Sequence, residues 1–108
     1  MTTIVMKQLG NGQLANSIGD LYTVPAVTTA LIKSITLVNT NTSAETVNLY
    51  VLKASGAARR IIPKATILGA GYMLEYDSVI TLEAGDKLQG DTTTASRVDF
   101  VISGVQEA

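Results

Sequence analysis

Glu75 and Asp77 are the first side chains in this sequence with the type and spacing to do chemistry. On an extended segment two such residues share a face about 7 Å apart, a separation compatible with the acid and base of a glycosidase. Such a pair works in a cleft lined by sugar-stacking rings. This chain has no Trp and one Phe, and only 5% of its residues are aromatic, so the two carboxylates read as solvated strand-edge or turn residues. Asp86, Asp91 and Asp99, with Gln89 and Thr92 between them, offer oxygens of the kind calcium takes. Calcium needs about 6 to 8 of them converging on one point, and EF-hand spacing is absent, so Asp86 and Asp91 read as turn caps. Arg59, Arg60 and Lys64 form the densest positive group. They suit either an acidic partner surface, which arginine's planar fork grips in bidentate fashion, or the protection of an edge strand from aggregation. Tyr22, Tyr50, Tyr72 and Tyr76 suit the rim of a core or a protein interface, and Tyr72 and Tyr76 are what keeps sugar binding open.

The missing residues are as informative. With no Cys there is no disulfide framework, zinc ribbon or thiol nucleophile, and with no His the commonest general base and transition-metal ligand are gone. No Ser or Thr has a histidine or a clearly buried lysine to activate it. The expectation is therefore a protein that is not an enzyme, with no catalytic residue, metal or cofactor. Eight basic against nine acidic residues give a net charge of -1, which provides no footprint for nucleic acid. No apolar run approaches the roughly 20 residues that span a bilayer, and no basic segment precedes an apolar one at the N-terminus. Neither nucleic acid nor membrane is expected as a partner, and synthesis in the cytosol is. The Asn41-Thr42-Ser43 sequon then reads as a turn.

The elements that must carry these groups are strands. Val47, Leu49 and Val51 alternate with Thr46, Asn48 and Tyr50, and Val98, Phe100 and Ile102 alternate with Arg97, Asp99 and Val101. Residues 30–39 carry apolar side chains on both parities, which places that strand centrally, with both faces covered. Further strands are expected at 3–9, 20–24, 59–63, 72–76, 79–82 and 87–90, eight or nine in all. Turn chemistry separates them at Gly10-Asn11-Gly12, Asn39-Thr40-Asn41, Gly69-Ala70-Gly71 and Gly85-Asp86. A helix has no good home in a chain this rich in Thr, Val and Ile. The fold class is all-β: a two-sheet antiparallel β-sandwich of jelly-roll type, or a small barrel. The glycine turn at 10–12 divides it into an N-terminal arm, residues 1–12, and one sandwich domain, residues 13–108.

The order of the segments adds a resemblance. Leu21-Tyr22-Thr23-Val24-Pro25-Ala26, Lys33-Ser34-Ile35-Thr36-Leu37-Val38-Asn39-Thr40, Val47-Asn48-Leu49-Tyr50-Val51, and Leu82-Glu83-Ala84-Gly85-Asp86-Lys87-Leu88-Gln89-Gly90 ahead of Val98-Asp99-Phe100-Val101-Ile102-Ser103-Gly104 together resemble small β-sandwich proteins of tailed-phage virions. The chain departs from that pattern where it has Val27-Thr28-Thr29 in place of a glycine turn, and Gly-Ala-Gly at 69–71 in place of Pro-Gly. The resemblance implies a head decoration or cement protein, made in the host cytoplasm and placed on the virion surface. Its implied partners are the major capsid protein and itself, as a homotrimer. A tail, baseplate or fibre module and a carbohydrate-binding module are the alternatives. A mean hydropathy of +0.29 independently points to apolar surface held in subunit contacts. The expected contact residues are Thr2, Ile4, Met6 and Leu9 of the arm, which can add a strand to a neighbour's sheet, and Arg59, Arg60 and Lys64.

Overall fold

Where the sequence alternates, the chain is extended. The computed structural model describes residues 3–108 and contains ten β-strands: β1 (Ile4–Gln13), β2 (Gly19–Thr23), β3 (Thr29–Asn39), β4 (Glu45–Leu52), β5 (Ala58–Arg60), β6 (Thr66–Leu68), β7 (Met73–Tyr76), β8 (Ile80–Leu82), β9 (Lys87–Thr92) and β10 (Val98–Glu107). They build two antiparallel sheets. The first runs β1-β10-β3-β7 with β8 also on β3, and the second runs β2-β9-β4-β5 with β6 also on β4. β7 and β8 lie end to end along β3, and β5 and β6 along β4. Each pair is thus one interrupted edge strand, and the sheets are the two four-stranded layers of an eight-stranded jelly roll. Leu14, Ile35, Leu37, Leu49, Leu88 and Ile102 are buried between them, each worth about 1.5–3 kcal/mol of apolar transfer.

Three bulges explain what simple alternation misses. On β3, Ile32 faces Gly104 and Ser34 faces Ser103, so Lys33 is an extra residue. The bulge changes the parity, and Ile32, Ile35, Leu37 and Asn39 all point into the core. The doubly apolar pattern of this strand therefore records a parity change, while Leu31, Thr36 and Val38 stay half-buried on the outside. Leu21 is the extra residue of β2 and Leu9 that of β1.

The turn expected at Gly10-Asn11-Gly12 is not formed: β1 runs through it, paired with β10 from Ile4 to Gln13. These glycines serve close approach instead. A Cβ on Gly10 would lie 2.9 Å from the Leu21 carbonyl, and one on Gly12 would lie 3.3 Å from the Phe100 ring. The strand expected at 59–63 stops at Arg60 because the chain bends to send Ile62 into the core and Pro63 has no N–H to offer a ladder. The Asn41 sequon lies in a turn, as expected. Asn39 Oδ1 accepts the Asn41 N–H at 2.9 Å, while its Nδ2 donates to the Ser43, Leu68 and Gly69 carbonyls at 2.9, 3.0 and 3.3 Å. Asn39 is fully buried and fastens the end of β3 in one sheet to β6 in the other.

Candidate interaction surface

The outer face of the second sheet is occupied by its own polar residues. Asp20 accepts hydrogen bonds from Gln89 at 2.8 Å and Lys87 at 2.9 Å, and these hold its carboxyl below the usual carboxylate range. Asn48 donates to Asp91 at 2.7 Å and accepts from Arg60 at 2.6 Å and from the Ala65 N–H at 2.9 Å. The Arg60 guanidinium lies 4.9 Å from the centre of the Tyr50 ring, within cation–π range. Two carboxylates secure the loops of this sheet. Burial pushes the Asp86 carboxyl up, but Lys53 at 2.7 Å and the Glu83 and Ala54 N–H groups outweigh it and hold the group ionised to lower pH than usual. Glu45 is likewise raised by burial, and lowered by more through the Thr94 N–H, Asn41 and Thr92.

The outer face of the first sheet is less tied up: Gln13 donates to Asp99 at 3.0 Å at one end, and apolar residues hold much of the rest. Met6, Val105 and Leu31 stand side by side across β1, β10 and β3, with Ile4 next to Met6 on the same face. Val38 and Met73 form a second apolar pair at the other end. Met6 is 85% and Ile4 66% exposed. Beside the first row the Lys33 bulge opens a groove of about 510 Å³, floored by Leu31, Gly104 and Val105 and flanked by Lys7 and Lys33. Among the described residues the ion pairs are Lys53 with Glu83 and Asp86, and Lys87 with Asp20, so neither groove lysine is neutralised.

No protein-family model matches the chain, and no curated protein matches it. Solved structures share its architecture. A chain of the Bacillus endospore appendages, described as disulfide-linked pili, superposes with a TM-score of 0.59 at 16% identity over 98% of this chain and 88% of that one. A chain of the acid-stable capsid of Helicobacter pylori bacteriophage KHP30 gives 0.56 at 13% identity over 100% of this chain and 94% of that one. The Gx strain of infectious bursal disease virus gives 0.52 at 15% identity, and there this chain spans 32% of the larger one. The likeness is one of fold. With no cysteine, this chain cannot form the disulfide links of the appendages.

The residues expected to make contacts fall on different parts of this surface. Thr2 lies outside the described residues. Ile4 and Met6 are exposed on β1, while Leu9, as the bulged residue, is half-buried against the core. Arg59 and Lys64 are exposed beside the second sheet, whereas Arg60 is engaged by Asn48 and Tyr50. The two groups therefore lie on different sheets. Glu75 and Asp77 are exposed at the β7 edge, Tyr72 is exposed before them and Tyr76 is half-buried. Asp86 caps a loop, Asp91 holds Asn48, and Asp99 accepts from Gln13 on the first sheet. Among the described residues no three acidic side chains gather where a metal could sit. Sequence reasoning missed Lys7 and Lys33 because a bulge, which no local period announces, puts them beside one groove.

Proposed function

We propose that this chain is a structural protein of a tailed-phage virion, a decoration or cement protein of the head that acts by burying surface and carries out no reaction. One observation carries the reading: the second sheet satisfies its polar outer face internally, while the first leaves Ile4, Met6 and Met73 and the free edge of β1 bare. Contiguous exposed apolar residues next to an unpaired strand edge are costly for a protein that works alone. Fold likeness to a phage capsid chain of nearly equal length adds support.

Such a protein would bridge major capsid protein subunits as a trimer on the head surface, after synthesis in the host cytoplasm. Standard interfaces bury about 1,200–2,000 Å², and repetition over a shell multiplies modest contacts by avidity. The exposed Arg59 and Lys64 would form a second, charged contact. The test is to locate the polypeptide in a map of the intact particle and to compare occupancy of Ile4→Asn/Met6→Asn with wild type. Density on the head and occupancy reduced tenfold at unchanged melting temperature are expected. Density on a tail or baseplate would move the protein there, and undiminished occupancy would remove β1 from the contact.

A further inference from the structure

The described strands leave four sheet edges, and three of them are blunt. The β5–β6 and β7–β8 edges are each interrupted, in pieces of three or four residues. β2 is five residues long and is broken by its Leu21 bulge. Short strands and bulges are how proteins keep an edge from pairing. β1 lacks this protection from Ile4 to Gln8, where it runs beside β10 without a break before the Leu9 bulge. The same segment is bare on both faces. Ile4 and Met6 point outward and are 66% and 85% exposed, while Val5, on the inward parity, is still 45% exposed, so the second sheet leaves room beside it.

The β10 ladder fixes where the backbone groups of this segment point. Thr3 and Ala108 exchange both hydrogen bonds, at 2.9 and 3.1 Å, and such pairs alternate along an antiparallel ladder. Val5 and Lys7 therefore turn their N–H and C=O groups to β10, and Ile4, Met6 and Gln8 turn theirs to the free edge. A second copy of β1, related by a two-fold axis perpendicular to the sheet, meets those groups only when the axis passes through a residue. An axis between residues sets edge-facing groups against groups already paired with β10. Centred on Lys7, it sets lysine against lysine, which is destabilising. Centred on Met6, it sets Ile4 against Gln8 and Val5 against Lys7. Centred on Val5, it sets Val5 against Val5, Ile4 against Met6 and Lys7 against Thr3, so the whole apolar run covers its own copy and the two lysines stand apart.

We infer that two copies of this chain pair through β1, antiparallel about a two-fold axis at Val5, so that their first sheets become one continuous sheet. This rests on the assembly reading above and assigns the β1 edge to contact between copies; on a shell it would join copies of neighbouring trimers in pairs. The contact is isologous, each β1 offering the other the same surface. A pairing confined to residues 4–8 buries well under the about 1,200–2,000 Å² of a standard interface, so it is weak in solution and gains by repetition over a shell.

Sedimentation velocity of the purified full chain, from about 10 μM to about 1 mM, tests it. Wild type should self-associate in that range. Met6→Pro removes an N–H that faces the free edge and leaves the β10 ladder intact, and it should associate at least tenfold more weakly. Val5→Lys and Val5→Glu each place like charges on the axis and should lose as much, with the wild-type circular dichroism spectrum retained. An equimolar mixture of the two should associate again, because lysine then faces glutamate. Val5→Glu also reads the register: with the axis on Met6 its glutamate would face Lys7 and tighten the contact. A monomeric wild type, a folded Met6→Pro that associates like wild type, a Val5→Glu that associates more tightly, or a mixture that stays apart would overturn the inference. If Met6→Pro does not fold, the two Val5 variants decide. Particle location is read separately. A chain found on the head that fails the mixing test refutes only this contact, and one that passes it but is absent from particles refutes only the virion role.

Discussion

Gly104 is where the fold tolerates least, because on β10 it sits against the Lys33 bulge of β3 and faces Lys7 of β1, with the Leu9 side chain reaching it from the neighbouring bulge. A Cβ placed there would stand 2.2 Å from the Leu31 carbonyl, 2.9 Å from Leu9 Cδ1 and 3.2 Å from Ile32 Cα. Relief requires moving backbone by about 1.2 Å, since ordinary van der Waals contact begins at 3.4 Å. Overpacking costs roughly 1–3 kcal/mol, and each ladder hydrogen bond disturbed adds about 1 kcal/mol. Gly104→Ala should therefore lose about 3–5 kcal/mol, which in a domain of this size is a fall of roughly 12–30 °C in melting temperature. The same calculation grades a series. Gly90→Ala, meeting the Asn48 carbonyl at 3.0 Å and two leucine side chains, should cost about 1–2 kcal/mol. Gly19→Ala, with its nearest contact at 3.9 Å, should change stability by no more than about 0.5 kcal/mol. Thermal and urea unfolding followed by circular dichroism measure all three. The reasoning fails if Gly104→Ala lies within 1 kcal/mol of wild type, or if Gly19→Ala is as damaging.

The folded pKa of Asp86 is depressed, so its stabilisation is complete above its unfolded value near 3.9 and is lost as pH falls through the folded value. Wild-type melting temperature should fall between about pH 5 and 2, and Asp86→Asn should be less stable at pH 7 yet show a shallower acid slope, with Glu45 supplying what slope remains. Val27 is a β-branched residue held at φ 57°, a conformation that costs roughly 1–2 kcal/mol. Val27→Gly should raise stability by about 0.5–1 kcal/mol after glycine's own entropy is charged, and a lower melting temperature would contradict this. Asn39→Asp aims a carboxylate oxygen at carbonyls that Nδ2 now serves. It should cost about 3 kcal/mol at pH 7 and recover partly near pH 3, where the carboxyl regains a proton to donate. Deleting Lys33 should leave a folded protein within about 2 kcal/mol of wild type, whereas deleting Thr36, which turns Leu37 and Asn39 outward, should not fold; circular dichroism of the two deletions decides.

The sheets were legible in the sequence because period two is a direct consequence of the pleat. Val98, Phe100 and Ile102 alternate in the chain and are buried in the core. β6 was not legible: three residues between Pro63 and Gly69 carry too little pattern, and what makes them a strand is the bare half of β4 from Glu45 to Val47 waiting for a partner. The glycines at 10 and 12 misled for a related reason. Glycine marks both a positive φ and a close approach of another chain segment, and only the second applies where Leu21 of the opposite sheet comes within reach of Gly10. On the surface, Ile4 and Met6 were legible as apolar residues with nothing local to cover them, but Leu9 was not separable from them, because a bulge one residue earlier or later would have reversed its direction.

That sensitivity also explains how the exposed face can be shaped without disturbing the core. Taking Lys33 out of β3 brings Ile32 and Ile35 into ordinary alternation across Ser34, so the core positions need no help from the bulge. Its effect is on the outside: it opens the groove beside Met6 and Val105 and adds a charge to it. Gly104 follows from the same insertion, because β10 must pass between two bulged neighbours and only a residue without a Cβ fits where they crowd it. The groove, its lysine and its glycine thus form one unit, maintained at a cost in packing tolerance that a sheet face with no contact to make would not need.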